Sequence, residues 1–255
     1  MADYAPGTPV WVDLQTSKMD DAKAFYTKLL GWQAETVPDP AAGGYTMFMS
    51  NGKAAAALGP TFDPNQPSAW NVYVSTTDAD ATAQKVKDAG GKVVAEPMTV
   101  MDAGRMAVFT DSTGAFVSTW QPDQMKGADV VNEVGAFGWS ELYTRDVPAA
   151  KEFYSKVFGW GSEDNDMGDG SKYTEFKIDG RSIAGGLDMT KMLPAEVPPH
   201  WLVYFVVANA DQSIDKAKEL GAEVLHGPMD IPIGRFAVLR DPVGAVVAIF
   251  QGKEA

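Results

Sequence analysis

The side chains with the clearest capacity for chemistry lie on two short segments in which apolar and polar residues alternate. Alternate residues of a β-strand share one face, so each segment would present a carboxylate between an aromatic residue and a polar one. A carboxylate in such surroundings could pair with an amine, and flat aromatic faces suit a planar ligand. The two predicted faces are Trp11, Asp13 and Gln15 in the first segment and Trp139, Glu141 and Tyr143 in the second.

The same alternation extends the candidate ligand-binding set to four later segments. A small-molecule pocket needs apolar walls with a few placed polar groups, and these faces have that character. They are Asn71, Tyr73 and Ser75; Leu202, Tyr204 and Val206; Phe116, Ser118 and Trp120; and Val246, Ala248 and Phe250. Plain hydrophobic core is the alternative interpretation of the aromatic residues.

Two arginines complete the candidate set. Arg105 and Arg235 follow Gly104 and Gly234 at matching places in the chain. They could contact a ligand, steady a strand turn, or form salt bridges with Asp13 and Glu141. Simple exposure is the remaining alternative for the two acids.

The chain has few residues that could support histidine or cysteine chemistry. The chain has two histidines, His200 and His226, and no cysteine. Both histidines sit beside proline or glycine at predicted strand ends, so we expect them in solvent or loops. Thiolate metal sites, a cysteine nucleophile and a disulfide framework are therefore excluded, and no Ser-His-Asp arrangement is indicated.

Composition limits the partners. The 255 residues carry a formal net charge of -13, which would repel a phosphate backbone and disfavours anionic membranes. The sequence contains no run of eighteen apolar residues, so we expect no membrane span. No signal peptide is predicted either. We therefore expect a cytoplasmic protein that binds neither nucleic acid nor membrane.

The elements that position these residues occur twice. Residues 11–32 align with residues 139–160 at an offset of 128, and ten of the 22 positions are identical. The match resumes at Trp70 and Trp201 and runs to Gln121 and Gln251. The sequence therefore predicts a tandem duplication: a first domain over 1–121, a linker over 122–134 and a second domain over 135–255.

Each copy has the pattern βαβββ twice over. In the first copy an alternating strand precedes a helix that carries Phe25 and Tyr26 and ends at Gly31. Ser17 to Asp20 has the form of a capping box and predicts the start of that helix. Strands near 44–50 and 53–58 follow, before the second strand–helix unit. The predicted class is α+β, with two tandem domains of paired βαβββ units.

This pattern resembles the vicinal oxygen chelate superfamily, which contains glyoxalases, bleomycin-resistance proteins and extradiol dioxygenases. The resemblance rests on the alternating strand, the F-Y-x-K-[LV]-[LF]-G-W helix and the D-[SP]-x-G-A turn, each present twice. It implies that each domain curls a mixed sheet into a cup. More narrowly, the chain is similar to two-domain actinobacterial members, some of them in anthracycline clusters with hydroxylase labels.

The resemblance also implies where a divalent metal would bind in such a cup. The family's ligands are histidine, glutamine or glutamate on four strands. The corresponding positions here are Trp11 and Trp139, Asn71 and Leu202, and Ser118 and Ala248, while the strand that closes the first unit has no acid in its interior. Tryptophan, alanine and leucine cannot ligate a metal, so we expect no metal and no other cofactor.

These observations favour a metal-independent protein that binds a small, planar, largely apolar ligand such as an aromatic polyketide. The alternative is an enzyme of the same superfamily, either a lyase or isomerase or a hydroxylase-type enzyme, or an accessory to an oxygenase. A third hypothesis is a scaffold whose cups are filled by its own side chains or loops. Single-copy family members dimerise to complete their cups, whereas a tandem chain can do so alone. A monomer and a homodimer therefore both stay open, as does an oxygenase partner.

Overall fold

The computed structural model describes residues 4–61, 63 and 65–253. The first copy of the repeat contains eight strands and two α-helices within that range, with one short 3-10 helix at Pro40–Ala42. In chain order these are β1 (Pro9–Gln15), α1 (Met19–Leu30), β2 (Gln33–Thr36), β3 (Thr46–Ser50), β4 (Lys53–Gly59), β5 (Ala69–Ser75), α2 (Ala79–Asp88), β6 (Lys92–Val100), β7 (Gly104–Thr110) and β8 (Phe116–Pro122).

The second copy repeats this order. Its elements are β9 (Phe137–Thr144), α3 (Val147–Phe158), β10 (Gly161–Asp166), β11 (Lys172–Ile178), β12 (Arg181–Asp188), β13 (His200–Val206), α4 (Ala210–Glu219), β14 (Glu223–Ile231), β15 (Gly234–Arg240) and β16 (Val246–Gly252). The edge strands β6 and β14 have nine residues each.

Each copy builds one mixed, eight-stranded sheet from its described strands. The strand order is β2-β3-β4-β1-β5-β8-β7-β6 in the first and β10-β11-β12-β9-β13-β16-β15-β14 in the second. β1 runs parallel to β4 and β5 parallel to β8, and the second sheet has the same two parallel pairs. The predicted fold class, α+β with tandem paired βαβββ units, is confirmed.

The first helix of each copy ends as predicted but begins differently. Gly31 and Gly159 follow α1 and α3 with φ of 73° and 74°, a conformation that glycine adopts without strain. The predicted capping box at Ser17 is wrong, because α1 starts after Lys18 without a side-chain cap. In α3 the Asp146 side chain accepts from the Ala149 amide at 3.0 Å, so only the second copy has a side-chain cap there.

By spatial contacts the chain divides into two compact units, and each unit draws on both copies of the repeat. One unit contains Val72–Gly127 and Ser140–Trp201 with the N-terminal segment up to Trp11. The other contains Val12–Asn71, Ala128–Trp139 and the segment from Leu202 onward. The domain boundaries inferred from the repeat describe a different division of the chain and stay a prediction.

The predicted linker packs against the protein. Ala128 and Val130 are buried, and the Asp129 carboxylate accepts a hydrogen bond from the Ala54 amide at 3.1 Å. Just beyond the linker, the carbonyl of Gly135 accepts from the Trp32 indole at 2.6 Å. These contacts tie the segment to the unit that contains Val12–Asn71.

Each unit has an aromatic core built around a buried tyrosine. In one, Tyr26 packs among Trp32, Phe48 and Trp70, and Phe205 contacts both tryptophans. The other has the repeat-related set Tyr154, Trp160, Phe176 and Trp201. Burial of such side chains contributes about 25 cal/mol per Å² of apolar surface, so these clusters stabilise the helix–sheet packing.

Each of these tyrosines also joins an aspartate and a tryptophan in what we call an interior triad. Tyr26 donates to Asp241 Oδ2 at 2.7 Å and accepts from the Trp70 indole at 2.9 Å. Tyr154 donates to Asp111 Oδ2 at 3.0 Å and accepts from Trp201 at 2.9 Å. Each triad therefore links the first helix of one copy to the turn before the last strand of the other copy.

The triads keep their polar groups satisfied away from water. Asp111 Oδ1 accepts from the Thr113 and Ala115 amides, and Asp241 Oδ1 accepts from its own turn in the same way. Burial raises the pKa of both tyrosines well above the ordinary value, so they remain protonated donors. Buried hydroxyls and carboxylates of this kind are tolerated only when they are hydrogen-bonded.

One buried hydroxyl breaks that rule. Ser140, on β9, is fully buried, and its Oγ has no hydrogen-bond partner among the residues that the structure describes. At the matching place on β1 the first copy has Val12, which is equally buried. The serine therefore loses water contacts without gaining a protein partner.

Candidate functional site

The first predicted carboxylate, Asp13, lies near the middle of β1 and is only 2% exposed. Tyr45, just before β3, donates to its Oδ2 at 3.1 Å, and the Asn71 amide on β5 donates to its Oδ1 at 2.9 Å. The strand register places Ala57 of β4 beside Asp13. The adjacent strands β1 and β5 and the residue before β3 thus bring together what we call the Asp13 centre: Asp13, Tyr45 and Asn71.

The second predicted carboxylate, Glu141, occupies the matching place on β9 and is 8% exposed. Tyr173, on β11, donates to its Oε1 at 2.8 Å. Tyr143, two residues further along β9, donates to its Oε2 at 3.4 Å, a longer and weaker contact. We call Glu141, Tyr143, Tyr173 and His200 the Glu141 centre.

A glycine makes room for the bond between Tyr173 and Glu141. Gly185 of β12 lies beside Glu141 in the strand register. A Cβ at this position would lie 2.1 Å from the Tyr173 hydroxyl and 2.9 Å from Glu141 Cγ. Any larger residue would therefore displace the tyrosine from the carboxylate.

His200 opens β13 and differs from the expectation of a solvent-facing loop residue. It is half-buried, and its ring stacks on that of Tyr143 with centroids 5.4 Å apart and planes 5° apart. Its Nδ1 lies 2.9 Å from the Pro198 carbonyl, which can only accept, so Nδ1 carries the proton and Nε2 presents a lone pair. Burial chiefly lowers the pKa of His200, and the Arg145 charge adds to the effect. His226, in contrast, is exposed on β14, in line with the expectation for that residue.

Arg145 holds the segment that leads to His200. Its guanidinium donates to the carbonyls of Val197 at 2.7 Å and Pro194 at 2.6 Å. A guanidinium remains charged at any ordinary pH, so a positive charge stands beside this part of the Glu141 centre.

The candidate aromatic residues of the last strands sit against glycines. Trp120 of β8 donates from its indole to the Met125 carbonyl at 2.8 Å. A Cβ on Gly104 would lie 2.7 Å from the Trp120 ring, and one on Gly234 would lie 2.6 Å from the Phe250 ring. These repeat-related glycines therefore seat the two aromatic rings, a packing role that their position before Arg105 and Arg235 did not reveal.

The remaining aromatic candidates also lie on the central strands. Tyr73 of β5 is paired with Ser118 of β8, and Tyr204 of β13 is paired with Ala248 of β16. Trp11 is buried on β1, whereas Trp139 is partly exposed on β9. Contact of any of these residues with a ligand stays a prediction.

The two candidate arginines bind aspartates in the first turns of helices. Arg105 forms a bidentate ion pair with Asp80 of α2, at 2.6 and 3.2 Å. Arg235 contacts Asp211 of α4 and Asp230 of β14. Both pairs tie a helix to its sheet, and a ligand role for the arginines stays a prediction.

The family's divalent metal does not fit the side chains present. The corresponding strands carry Trp11, Asn71 and Ser118 in the first copy, and Asn71 already donates to Asp13. The second copy carries Trp139, Leu202 and Ala248 at the same places. In the part of the chain that the structure describes, no group of three or more histidines and acids could hold a metal ion. The donor set therefore lacks the imidazoles and carboxylates that such ions need.

The known protein family that matches this chain agrees with the two-copy fold. The model of the Glyoxalase/Bleomycin resistance protein/Dioxygenase superfamily matches residues 8–118 and again 136–249. The chain belongs to this superfamily. The two matches confirm the family resemblance and the tandem repeat.

Two relatives in this superfamily align over nearly their whole length. CFP32 of Mycobacterium tuberculosis, a protein with a provisional glyoxylase name, is 40% identical over 98% of this chain and 97% of its own. The anthracycline biosynthesis protein DnrV of Streptomyces peucetius is 39% identical over 100% of this chain and 96% of its own. The narrower resemblance to proteins of anthracycline clusters is thereby confirmed.

Among solved structures, the Mn(II)-bound glyoxalase from Novosphingobium aromaticivorans has a similar fold. Its TM-score is 0.67 at 18% identity, covering 98% of this chain and 84% of that one. At this identity the likeness concerns the fold alone. No helix in the described ranges has the length and apolar character needed to cross a membrane.

Four residues of the site were not predicted as site residues from the sequence. Tyr45 and Tyr173 are identical residues at the 128-residue offset, so the repeat itself contained the signal that could have found them. Gly185 has no such signal, because the first copy carries Ala57 beside its carboxylate. His200 was set aside as a strand-end residue although its neighbour in space is Tyr143.

Proposed function

We propose that the protein binds a planar aromatic metabolite non-covalently and without a metal. The observation that carries this proposal is the carboxylate–tyrosine pair that both copies possess. Asp13 with Tyr45 and Glu141 with Tyr173 occupy the same places in their sheets. The pair is present in both copies, whereas the family's metal-ligand positions are filled by residues such as Trp11 and Trp139.

The chemistry of the two centres suits recognition of a ligand. A largely buried carboxylate is a strong hydrogen-bond acceptor, and it orients a ligand that brings an N–H or O–H group. The aromatic residues on neighbouring strands supply flat apolar faces. A few placed polar groups among apolar walls are typical of small-molecule pockets.

The relatives supply the class of ligand. DnrV is an anthracycline biosynthesis protein by name, and anthracyclines are planar aromatic polyketides. A related ligand fits both the aromatic residues and the carboxylates of this chain. Sequestration of such a compound, or its presentation to an oxygenase in biosynthesis, needs no catalytic group in the binding protein.

A second candidate function is a metal-independent lyase or isomerase, and the Glu141 centre favours it. Glu141, two tyrosines and a half-buried histidine form a set that could move protons. The provisional glyoxylase name of CFP32 points in the same direction. Conversion of a bound ligand during a binding experiment, detected by chromatography, would separate this candidate from simple binding.

The binding proposal is tested by titrating the full chain with aromatic natural products, daunorubicin included, and following tryptophan emission. We expect saturable quenching whose dissociation constant rises about tenfold in Trp11→Phe or Trp139→Phe, which corresponds to about 1.4 kcal/mol. Trp32→Phe is the control, because Trp32 belongs to an aromatic core, and its dissociation constant should stay within twofold. Absence of binding across the panel at high micromolar concentration would refute the proposal.

A further inference from the structure

The hairpin of β3 and β4 turns on the only Asn-Gly pair in the sequence. β3 ends at Ser50 and β4 begins at Lys53, and these two residues pair across the hairpin. The two residues between them, Asn51 and Gly52, have φ of 51° and 76°. A two-residue hairpin turn of this kind needs positive φ at both positions, which explains why asparagine and glycine occupy it.

Both turn residues are exposed to solvent. Among the residues that the structure describes, the Asn51 side-chain amide and the Gly52 backbone amide have no hydrogen-bond partner. A Cβ built on Gly52 would meet nothing within 4 Å, so water and base have access to the turn. Glycine has no side chain to shield its nitrogen. The Gly52 nitrogen is therefore an accessible nucleophile beside the Asn51 side-chain carbonyl.

A second asparagine shows how much depends on the glycine. Asn132 is also exposed and also has a positive φ, of 60°, but the next residue is Glu133, whose side chain crowds its own nitrogen. At Asn51 no such side chain hinders the approach of the nitrogen to Cγ. Rotation about the bond between Cα and the main-chain carbonyl carbon must open the turn first, and the exposed tip of a hairpin opens at low cost.

We infer that Asn51 is the site of a spontaneous deamidation that proceeds through a succinimide. Base removes the Gly52 amide proton, and the nitrogen bonds to Asn51 Cγ. The bond between Cγ and Nδ2 breaks, and the leaving group takes a proton from solvent and departs as ammonia. Water then opens the ring: cleavage of the new bond to Cγ gives aspartate, and cleavage of the bond to the main-chain carbonyl carbon gives isoaspartate.

The reaction needs only water and base, and nothing is oxidised or reduced. It replaces a neutral amide with a carboxylate and so adds one negative charge to the chain. The inference concerns the polypeptide itself and does not depend on the proposed ligand.

The second copy shows that the aspartate product fits the turn. The matching turn between β11 and β12 is Asp179 and Gly180, with φ of 48° and 77°. Isoaspartate, in contrast, adds one carbon atom to the main chain, which should disturb the pairing of β3 with β4. These strands carry Phe48 of the aromatic core and Ala54, whose amide donates to Asp129. Isoaspartate should therefore loosen the hairpin, whereas aspartate should not.

The inference is tested by incubating the full chain at 37 °C, at pH 7.5 and pH 8.5, before digestion with trypsin. Mass spectrometry of the peptide 29–53 should show the mass gain of an exchange of NH2 for OH. We expect this gain to be at least about ten times as extensive as in the peptide 127–145, which contains Asn132. The rate should rise with pH, because the reaction begins with the removal of an amide proton.

Two variants sharpen the test. Asp179→Asn places an Asn-Gly pair in the matching turn of the second copy, and this turn should deamidate at a rate within about threefold of that at Asn51. Asn51→Asp reproduces the aspartate product and should keep the melting temperature of the wild type. In aged wild-type protein, the fraction that a protein isoaspartate methyltransferase modifies should unfold at a lower urea concentration.

Four results would overturn the inference. An unchanged peptide 29–53 would show that the turn is too rigid for ring closure. Equal mass gain at Asn51 and Asn132 would show that the glycine neighbour is not decisive. A rate that does not rise with pH would exclude attack by the amide nitrogen. A silent Asp179→Asn would show that an Asn-Gly pair in this turn is not sufficient for the reaction.

Discussion

The interior triads and the carboxylate centres both occur twice, but the two triads have stayed alike whereas the two centres have diverged. The two triads have the same three residue types and nearly the same distances in both units. The two centres share only a carboxylate and a tyrosine and differ in nearly everything around them. Polar groups inside the packing must be hydrogen-bonded and so admit few substitutions, whereas the ligand role proposed for the centres would allow their surroundings to diverge.

The largest expected effect tests the equivalence of the triads. Asp111→Ala and Asp241→Ala each leave a buried tyrosine hydroxyl and two turn amides without an acceptor, so each should lower the free energy of unfolding by roughly 3 kcal/mol or more. Urea unfolding measures the loss, and the exposed Asp102→Ala is the control. Losses that differ by more than about twofold would contradict the equivalence.

The next effect should separate the two centres. Gly185→Ala places a methyl group where the Tyr173 hydroxyl lies, so we expect loss of the bond to Glu141 and destabilisation of about 1–3 kcal/mol. Ala57→Gly, at the matching place of the first copy, should cost only about 0.5–1 kcal/mol through backbone entropy. Thermal unfolding and near-UV circular dichroism of the tyrosines measure both. A silent Gly185→Ala would show that the glycine is not needed at this position.

A third substitution should stabilise the protein. Ser140→Val gives the second copy the residue that the first has at Val12, and it removes a buried hydroxyl that has no partner. The expected gain is about 1 kcal/mol in the free energy of unfolding, measured by urea titration. The reverse change, Val12→Ser, is the control and should cost about 1–3 kcal/mol. A loss of stability in Ser140→Val would point to steric crowding at this position instead.

The smallest effect is a pH dependence that belongs to the second copy. Because burial lowers the pKa of His200, protonation is easier in the unfolded chain. The stability of the wild type relative to His200→Gln should be level above about pH 7 and should fall as the pH drops below the ordinary histidine pKa of about 6.5. Urea unfolding between pH 5 and 8 measures the difference.

Much of the fold could be predicted because it depends on local patterns that occur twice. Alternation gave β1 and β9, helical spacing gave α1 and α3, and the glycines at 31 and 159 marked where the helices end. The start of α1 was misjudged, because the cap position is Lys18 and not Ser17, and Lys18 makes no side-chain hydrogen bond to the helix. A capping pattern in the sequence does not show at which residue the helix begins.

The site was only partly predictable, for a different reason. Asp13 and Glu141 followed from strand alternation, and the structure shows both largely buried with tyrosine partners. The bond between Tyr26 and Asp241 joins residues 215 positions apart, and no spacing rule reports such a contact. Stacking of His200 on Tyr143 likewise depends on how β9 and β13 are placed, which the local sequence does not determine.

The interleaving of the two units has a consequence for how the chain is made. Synthesis proceeds from the N-terminus, so the unit that ends at Trp201 has all its segments before the other unit does. Residues 12–71, with Tyr26 and Trp70, must wait for Phe205 and Asp241 near the end of the chain. A chain that stops at residue 201 would therefore lack the Phe205 ring and the Asp241 carboxylate that contact the aromatic core around Tyr26.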